Sequence, residues 1–143
     1  MKGDLRSNCP VSCALDVLGD KWTLIIVRDM LLFGKETFKD FSESSEGIAT
    51  NILSSRLKSL EEFGIATKHK SPTNKKVNIY KPTEKGISLL PVVVEMVLWS
   101  HSNLREKYPE LAVVGIEPFI NNKEASILQI QKNLRDALKQ QAF

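Results

Sequence analysis

The chain of 143 residues is long enough for one domain with its own core, and its 42% hydrophobic and 26% charged residues are typical of a soluble globular protein. A chain with only two cysteines is not expected to have a disulfide framework. Its apolar stretches are interrupted by charges and its N-terminus is polar, so neither a membrane span nor a secretory leader is predicted. The cytoplasm is therefore the expected location. The net charge of +3 is concentrated in residues 49–85, which carry 8 Lys/Arg against 3 Asp/Glu. This excess is typical of a face that meets a polyanion, but also of ordinary solvated surface.

Three helices are predicted in the first 44 residues of the chain. The first begins at Cys9-Pro10, because proline suits the first helical turn, where its missing N–H costs nothing. The second covers residues 21–32, and a short third helix over residues 38–44 follows Thr37 as its N-cap.

The fourth predicted helix, residues 50–63, has two chemically different faces. Leu53, Leu57 and Leu60 recur at helical spacing and form one apolar stripe, and Gly64 ends the helix in a left-handed conformation. The opposite face carries hydroxyl, amide and ammonium groups. This helix therefore has one side for a core and another for hydrogen bonding.

A basic hairpin is predicted directly after this helix. Residues 65–70 and 76–80 have the composition of two strands, and residues 71–75 between them are rich in turn formers. Lys75 and Lys76 then lie at the tip, which makes the loop cationic.

Two further helices are predicted in the C-terminal part of the chain. Thr83 is expected to cap a helix over residues 84–107, which is apolar nearly all round and should bend at Pro91. A domain of this size has difficulty burying such a helix alone, so a partner chain is the simplest explanation. The last helix, residues 123–140, has a single apolar stripe.

The order of these elements predicts a mainly α fold with a small β-hairpin wing, a winged helix-turn-helix with additional C-terminal dimerisation helices. We expect a single domain over residues 1–143, with the winged core in 9–82 and the dimerisation helices in 83–143. Trp22 and Trp99 are expected in the core, and Trp99 is also a candidate for the dimer seam.

The winged arrangement favours double-stranded DNA as the partner. The major groove admits one α-helix, whose polar side chains reach base edges and phosphates, and a basic hairpin beside it adds contacts to the backbone. A solvated helix face and solubilising lysines are the alternative explanation of the same residues. The predicted DNA-contact residues are Thr50, Asn51, Ser54, Ser55, Arg56, Lys58, Lys70, Asn74, Lys75 and Lys76. Arg56 lies between the two helix faces and suits a phosphate or a carboxylate of the protein itself equally well.

Short motifs along the chain follow one another in an order and spacing typical of one protein family. They are Cys9-Pro10-Val11, Ala14-Leu15-Asp16, residues 19–24 (GDKWTL), Phe33-Gly34, Phe38, Phe41, Gly47-Ile48, Leu53, Arg56-Leu57, residues 60–62 (LEE), Gly64-Ile65, Tyr80, residues 83–86 (TEKG), residues 89–91 (LLP) and Trp99. With this set the chain resembles the HxlR-type family of regulators, relatives of the MarR group, over about residues 9–103.

The resemblance implies a homodimeric winged-helix transcription regulator that binds DNA and has no enzymatic activity. It implies that the polar face of the 50–63 helix contacts bases and that the hairpin contacts the backbone. Two features depart from the family pattern. Ala49 stands where members often have Ser or Thr, so the helix start lacks its usual cap unless Thr50 replaces it, and residues 122–143 extend past the end of shorter members.

Cys9 is a candidate redox sensor, because a helix N-terminus favours the thiolate and therefore oxidation chemistry. The resemblance adds that the cysteine at this position senses oxidants or electrophiles in several members, which implies an oxidant or small-molecule effector. A half-buried cysteine without a signalling role is the alternative. Because a disulfide between Cys9 and Cys13 would strain the helix they share, modification of Cys9 alone or a bridge between subunits is favoured.

No cofactor, metal ion or membrane partner is predicted. Cys9, Cys13, His69 and His101 lack the paired spacing of zinc ligands. A thiol enzyme is disfavoured because neither a catalytic base nor a glycine-rich phosphate loop accompanies Cys9. The second functional hypothesis is a winged helix that serves as a protein-interaction or assembly module without DNA binding, although such a module would not need a basic hairpin.

Overall fold

A computed structural model of the chain describes residues 5–111 and 115–141, so the two ends of the predicted 1–143 domain lie outside the described residues. The elements in chain order are α1 (Pro10–Leu18), α2 (Thr23–Leu32), α3 (Phe38–Ser42), α4 (Thr50–Glu62), β1 (Ala66–Lys70), β2 (Asn78–Pro82), α5 (Glu84–Ile87), α6 (Leu90–Asn103), α7 (Glu117–Asn121) and α8 (Lys123–Gln140). They form two compact units, Met1–Gly86 and Ile87–Phe143. The boundary between the units lies four residues after the one predicted between residues 82 and 83. The mainly helical fold with one antiparallel hairpin is confirmed.

The core of the first unit is built around α2. Ile26, Val27, Met30 and Leu31 of this helix are buried. Trp22, which was expected in the core, is only half-buried, and the ammonium group of Lys21 lies 5.2 Å from the centre of its ring. The indole is therefore at the edge of the core, where a cation can cover its exposed face.

The first helix of this unit is unusual because no residue of α1 is buried. Pro10 occupies its first turn, as predicted. Val11 and Leu15 on its surface are 68% and 54% exposed, so the described residues leave their apolar area uncovered.

Reciprocal hydrogen bonds fix the start of α3. The hydroxyl of Thr37 accepts from the backbone N–H of Asp40, and the carboxylate of Asp40 accepts from the N–H of Thr37, both at 3.1 Å. The predicted N-cap is thereby confirmed. The helix ends at Ser42, two residues earlier than expected.

The hairpin pairs β1 with β2 and places Lys68 opposite Tyr80. It is fastened to the chain before α3, because the N–H of Tyr80 donates to the carbonyl of Glu36 at 2.7 Å and Lys81 pairs with the Glu36 carboxylate. After the hairpin, Gly86 packs against the carbonyl oxygen of Ile65 so closely that a Cβ would lie 2.3 Å from it. Only glycine fits there.

The prediction of one helix over residues 84–107 is wrong, because the chain leaves helical geometry between α5 and α6. Pro91 has no N–H to donate to the carbonyl of Ile87, four residues earlier. That carbonyl instead accepts a buried hydrogen bond from Nε2 of Gln131 on α8, at 3.1 Å. The interruption is therefore satisfied by a side chain of the second unit.

In the second unit, α7 and α8 pack on each other. Phe119 of α7 and Ile127 of α8 are buried, and Asn122 caps α8 by accepting from the N–H of Ala125. The bounds of α8 agree with the predicted helix, whereas the short α7 was not predicted.

Trp99, which was expected in the core, is 60% exposed. It lies on α6 with two other exposed apolar residues, Val92 and Met96, at 41% and 51%. The opposite side of α6 buries Leu90, Val93 and Val94. The described residues therefore cover one face of α6 and leave the other exposed.

Candidate nucleic-acid interface

The helix α4 separates its two faces sharply. Leu53, Leu57 and Leu60 are at most 1% exposed. The opposite side, which we call the polar face of α4, is exposed throughout and consists of Thr50, Asn51, Ser54, Ser55 and Lys58. Gly64 directly after the helix has a φ of 72°, the left-handed conformation expected at a helix end. The helix can thus present hydroxyl, amide and ammonium groups to a ligand without disturbing its packed side.

The start of α4 lacks a side-chain cap. Ala49 is the N-cap residue, and within residues 5–111 no side chain accepts from the first N–H groups of the helix. Thr50 therefore does not replace the missing cap. The first turn keeps N–H groups that water or a phosphate oxygen can satisfy.

Arg56 is held by the protein itself. Its Nη1 lies 3.6 Å from Oδ2 of Asp20, and its Nη2 donates to the hydroxyl of Ser55 at 3.0 Å. In the chain by itself Arg56 thus pairs with a carboxylate, one of the two partners that the sequence left open, and a phosphate partner stays a prediction.

The tip of the hairpin is a tight turn with exposed lysines. The N–H of Ser71 donates to the carbonyl of Val77 at 2.8 Å, and Oδ1 of Asn74 accepts from the N–H of Lys76 at 3.1 Å. Asn74 is exposed, but its side chain also shapes the turn. Lys75 at the tip is exposed, as are Lys70 and Lys76 nearby.

The lysines of the basic segment differ in their partners. Lys68 pairs with Glu61 at 3.9 Å, Lys81 pairs with Glu36, and Lys85 donates to the carbonyl of Phe63 at 3.0 Å. Among the lysines of residues 49–85, four have no carboxylate of the described residues at ion-pair distance. They are Lys58, Lys70, Lys75 and Lys76, called the unpaired lysines below.

Comparison with known proteins places this arrangement in a family. The HxlR-like helix-turn-helix family matches residues 17–108, a range that includes the polar face of α4 and the hairpin. The chain belongs to the HxlR family. The resemblance drawn from the sequence motifs is therefore confirmed.

Individual HxlR relatives support the same assignment. The HTH-type transcriptional regulator YybR of Bacillus subtilis is 37% identical over 101 residues, which cover 68% of this chain and 78% of YybR. The oxidised form of the redox regulator HypR superposes with a TM-score of 0.58 at 33% identity, covering 66% of this chain and 97% of that structure. The reduced form of the transcriptional regulator YodB of Bacillus subtilis superposes with a TM-score of 0.54 at 32% identity, covering 68% of this chain and 95% of that structure. These relatives are transcription regulators and not enzymes, and the winged helix-turn-helix fold is confirmed.

Sequence reasoning missed a charged cluster that joins α2 to the turn before α4 in this HxlR chain. Asp29 on α2 is completely buried, and its carboxylate is bound by Arg28, Lys35 and the hydroxyl of Ser44. Arg28 also donates to both carboxylate oxygens of Glu46, at 2.8 and 3.0 Å. Two charged residues, 28 and 29, inside an apolar helix were the signal that could have revealed the cluster. Their partners Ser44 and Glu46 are distant in sequence, so a local pattern does not identify them.

The cluster joins α2 to the turn between α3 and α4, which carries Ser44 and Glu46. Hydrogen bonds from Arg28 lower the pKa of Glu46 to about 2 and raise the pKa of Arg28 above its usual value. Both groups are therefore charged at neutral pH. The cluster therefore holds the turn that precedes α4 against α2.

Cys9 is the N-cap residue of α1 and is exposed. The backbone N–H groups of Ser12 and Val11 lower the pKa of its thiol below the usual value. Cys13 differs, because it is half-buried and its thiol donates to the carbonyl of Ser7 at 3.3 Å. The structure thus leaves Cys9 accessible and more acidic than an ordinary cysteine.

Proposed function

We propose that this HxlR-family transcriptional regulator binds double-stranded DNA in a sequence-specific manner as a homodimer. The polar face of α4 enters the major groove and contacts base edges, and the hairpin lies along the backbone. The observation that carries the proposal is the two-sidedness of α4, whose apolar side is buried while its hydrogen-bonding side is exposed. We also propose that the protein acts in the cytoplasm, the location expected from the sequence.

Asn51, Ser54 and Ser55 are assigned to the bases, because amide and hydroxyl groups can both donate and accept hydrogen bonds. The unpaired lysines are assigned to phosphates, since they neutralise charge without reading sequence. Arg56 is left out of both groups because Asp20 holds it.

The homodimer is supported by apolar surface that each chain leaves uncovered. In the first unit this surface lies on α1, at Val11 and Leu15. In the second unit Val92, Met96 and Trp99 line an open groove on α6. Exposed apolar patches of this kind are typical of protein interfaces.

We further propose that oxidants or electrophiles act on this regulator through Cys9. Its thiol is exposed and has a lowered pKa. HypR is a redox regulator, and YodB has been solved with a quinone bound and after treatment with diamide. Modification of Cys9, at the start of a helix with an uncovered apolar surface, would change how two chains pair.

A fluorescence-anisotropy titration tests DNA binding. The probe is a labelled duplex from the region upstream of the protein's own coding sequence, and the control is a scrambled duplex of equal length. Four unpaired lysines per chain give about eight phosphate contacts per dimer, and hence a log–log salt slope of about −7 on the specific duplex. Salt-independent binding, or no binding before and after treatment with diamide, would contradict the proposal.

Light scattering tests the dimer, which should have twice the chain mass of 16.1 kDa. The thiol proposal predicts that diamide or a quinone changes DNA affinity at least tenfold in the wild type and not in Cys9→Ser. Cys13→Ser is the matched control and should respond like the wild type.

A further inference from the structure

The ion pair between Asp20 and Arg56 joins α4 to the residues just before α2. The two side chains are 29% and 31% exposed, so water and a ligand can both reach them. The guanidinium also donates to the hydroxyl of Ser55, a member of the polar face. Arg56 therefore lies beside the residues assigned to DNA, with its charge directed at a carboxylate.

Asp20 is held firmly in place by groups other than Arg56. Its Oδ1 accepts from the backbone N–H groups of Trp22 and Thr23, both at 2.9 Å, and its Oδ2 accepts from the hydroxyl of Thr23. Burial acts to raise the pKa of Asp20, but these hydrogen bonds and the charge of Arg56 outweigh it and lower the pKa. The carboxylate is a fixed anion at the edge of the proposed interface.

Arg56 is held more loosely than Asp20. The 3.6 Å between its Nη1 and Oδ2 of Asp20 exceeds hydrogen-bond length, so charge alone maintains the pair. An ion pair of this exposure contributes little stability. A DNA phosphate offers a guanidinium two parallel hydrogen bonds, which Asp20 does not form with Arg56 at this distance. Arg56 is thus positioned between two competing anions.

We propose that Asp20 competes with DNA for Arg56 and withholds one cationic contact per subunit from the phosphate backbone. Asp20 acts as a positioning residue that limits DNA affinity, and Arg56 is a reserve contact released when the carboxylate is neutralised. The inference rests on the proposed DNA-binding function, because it concerns a residue beside the same interface.

Neutral replacements of Asp20 test this inference. Asp20→Asn keeps an oxygen that can accept from the N–H groups of Trp22 and Thr23, and Asp20→Ser is a second neutral residue that suits a helix start. Thermal unfolding followed by circular dichroism establishes that each variant is folded. Titrations with the upstream duplex are then repeated from 50 to 200 mM salt in reducing buffer.

Release of Arg56 adds two phosphate contacts per dimer, so the log–log slope should become steeper by about 2. The affinity of Asp20→Asn relative to the wild type should therefore grow about tenfold as salt falls from 200 to 50 mM. A merely structural role of Asp20 would lower the concentration of active protein without steepening the slope.

The same replacement in an Arg56→Gln background separates release of Arg56 from simple removal of a negative charge. The steeper slope should appear only when Arg56 is present. An unchanged salt slope in the folded Asp20 variants would overturn the inference. So would an equally large steepening of the slope in the Arg56→Gln background. In either case salt-dependent binding by the wild type would leave the proposed function standing. Absence of salt-dependent binding by the wild type would overturn the proposed function and this inference with it.

Discussion

Two helices of similar length, α4 with 13 residues and α6 with 14, present opposite chemistry to solvent. The first buries all its leucines and exposes amide, hydroxyl and ammonium groups. The second buries part of its apolar surface and leaves Val92, Met96 and Trp99 exposed. The comparison teaches that α4 keeps its apolar side buried and offers hydrogen bonds to solvent, whereas α6 leaves exposed an apolar surface of the kind found in protein interfaces.

The largest expected effect separates the two faces of α4. Leu53→Ala removes a fully buried side chain and should lower the free energy of unfolding by about 2–5 kcal/mol. Asn51→Ala, two positions earlier on the polar face, should change it by less than about 0.5 kcal/mol. Urea denaturation measures both values. Equal losses would show that the polar face is packed rather than free for DNA.

The next effect concerns α6. Trp99→Ser should raise the dimer dissociation constant about thirtyfold or more, because an aromatic side chain at the centre of an interface contributes about 2 kcal/mol or more. Phe33→Ser is the matched control, since Phe33 is 62% exposed and Trp99 is 60% exposed. Sedimentation equilibrium measures the constant. If Phe33→Ser weakens the dimer as much as Trp99→Ser, the exposed face of α6 is not the seam.

A smaller and more specific effect is expected at the hairpin. Replacing Lys75 and Lys76 by Ala removes four phosphate contacts per dimer, so the salt slope should become flatter by about 3.6. Asn51→Ala should instead reduce the preference for the specific over the scrambled duplex and leave the slope unchanged. Anisotropy titrations on both duplexes measure these quantities. A change in slope for Asn51→Ala, with none for the lysine variant, would reverse the assigned roles.

The smallest effect depends on pH and concerns the turn that leads into α4. The pKa of Glu46 is lowered from 4.5 to about 2, so its pairing with Arg28 stabilises the fold fully above pH 4.5 and loses this effect as pH falls toward 2. Glu46→Gln should therefore cost up to about 1 kcal/mol at pH 7, and the difference from wild type should shrink as pH falls through about 2 and vanish below it. Urea denaturation across this range checks the sign. Glu62→Gln, an exposed change on α4 itself, is the control and should show no such trend.

Local patterns were sufficient to predict the element that defines the proposed interface. The leucine spacing and Gly64 predicted α4 within one residue, because an amphipathic stripe and a left-handed glycine are encoded in neighbouring positions. The hairpin was predicted in the same way, but β2 begins at Asn78, two residues late, because the N–H of Val77 donates to the carbonyl of Asn74 within the turn.

Features that depend on distant partners could not be predicted. Pro91 was expected to bend a helix, yet it lies in the first turn of α6, because it cannot donate to the carbonyl of Ile87 and so cannot continue α5. The hydrogen bond to that carbonyl comes from Gln131 instead. Periodicity also does not show that Asp20 lies beside Arg56. In both cases the deciding contact joins residues far apart in the chain, and a sequence pattern reports only neighbours.

Amide NMR spectra of the isotope-labelled protein, recorded with and without the upstream duplex, test most directly whether α4 is the DNA-binding surface. We predict that the largest chemical-shift changes occur in residues 50–62 and 70–77 and that residues 90–103 change little. The DNA-binding account would be contradicted if the changes were concentrated in residues 90–103 while those of α4 kept their positions.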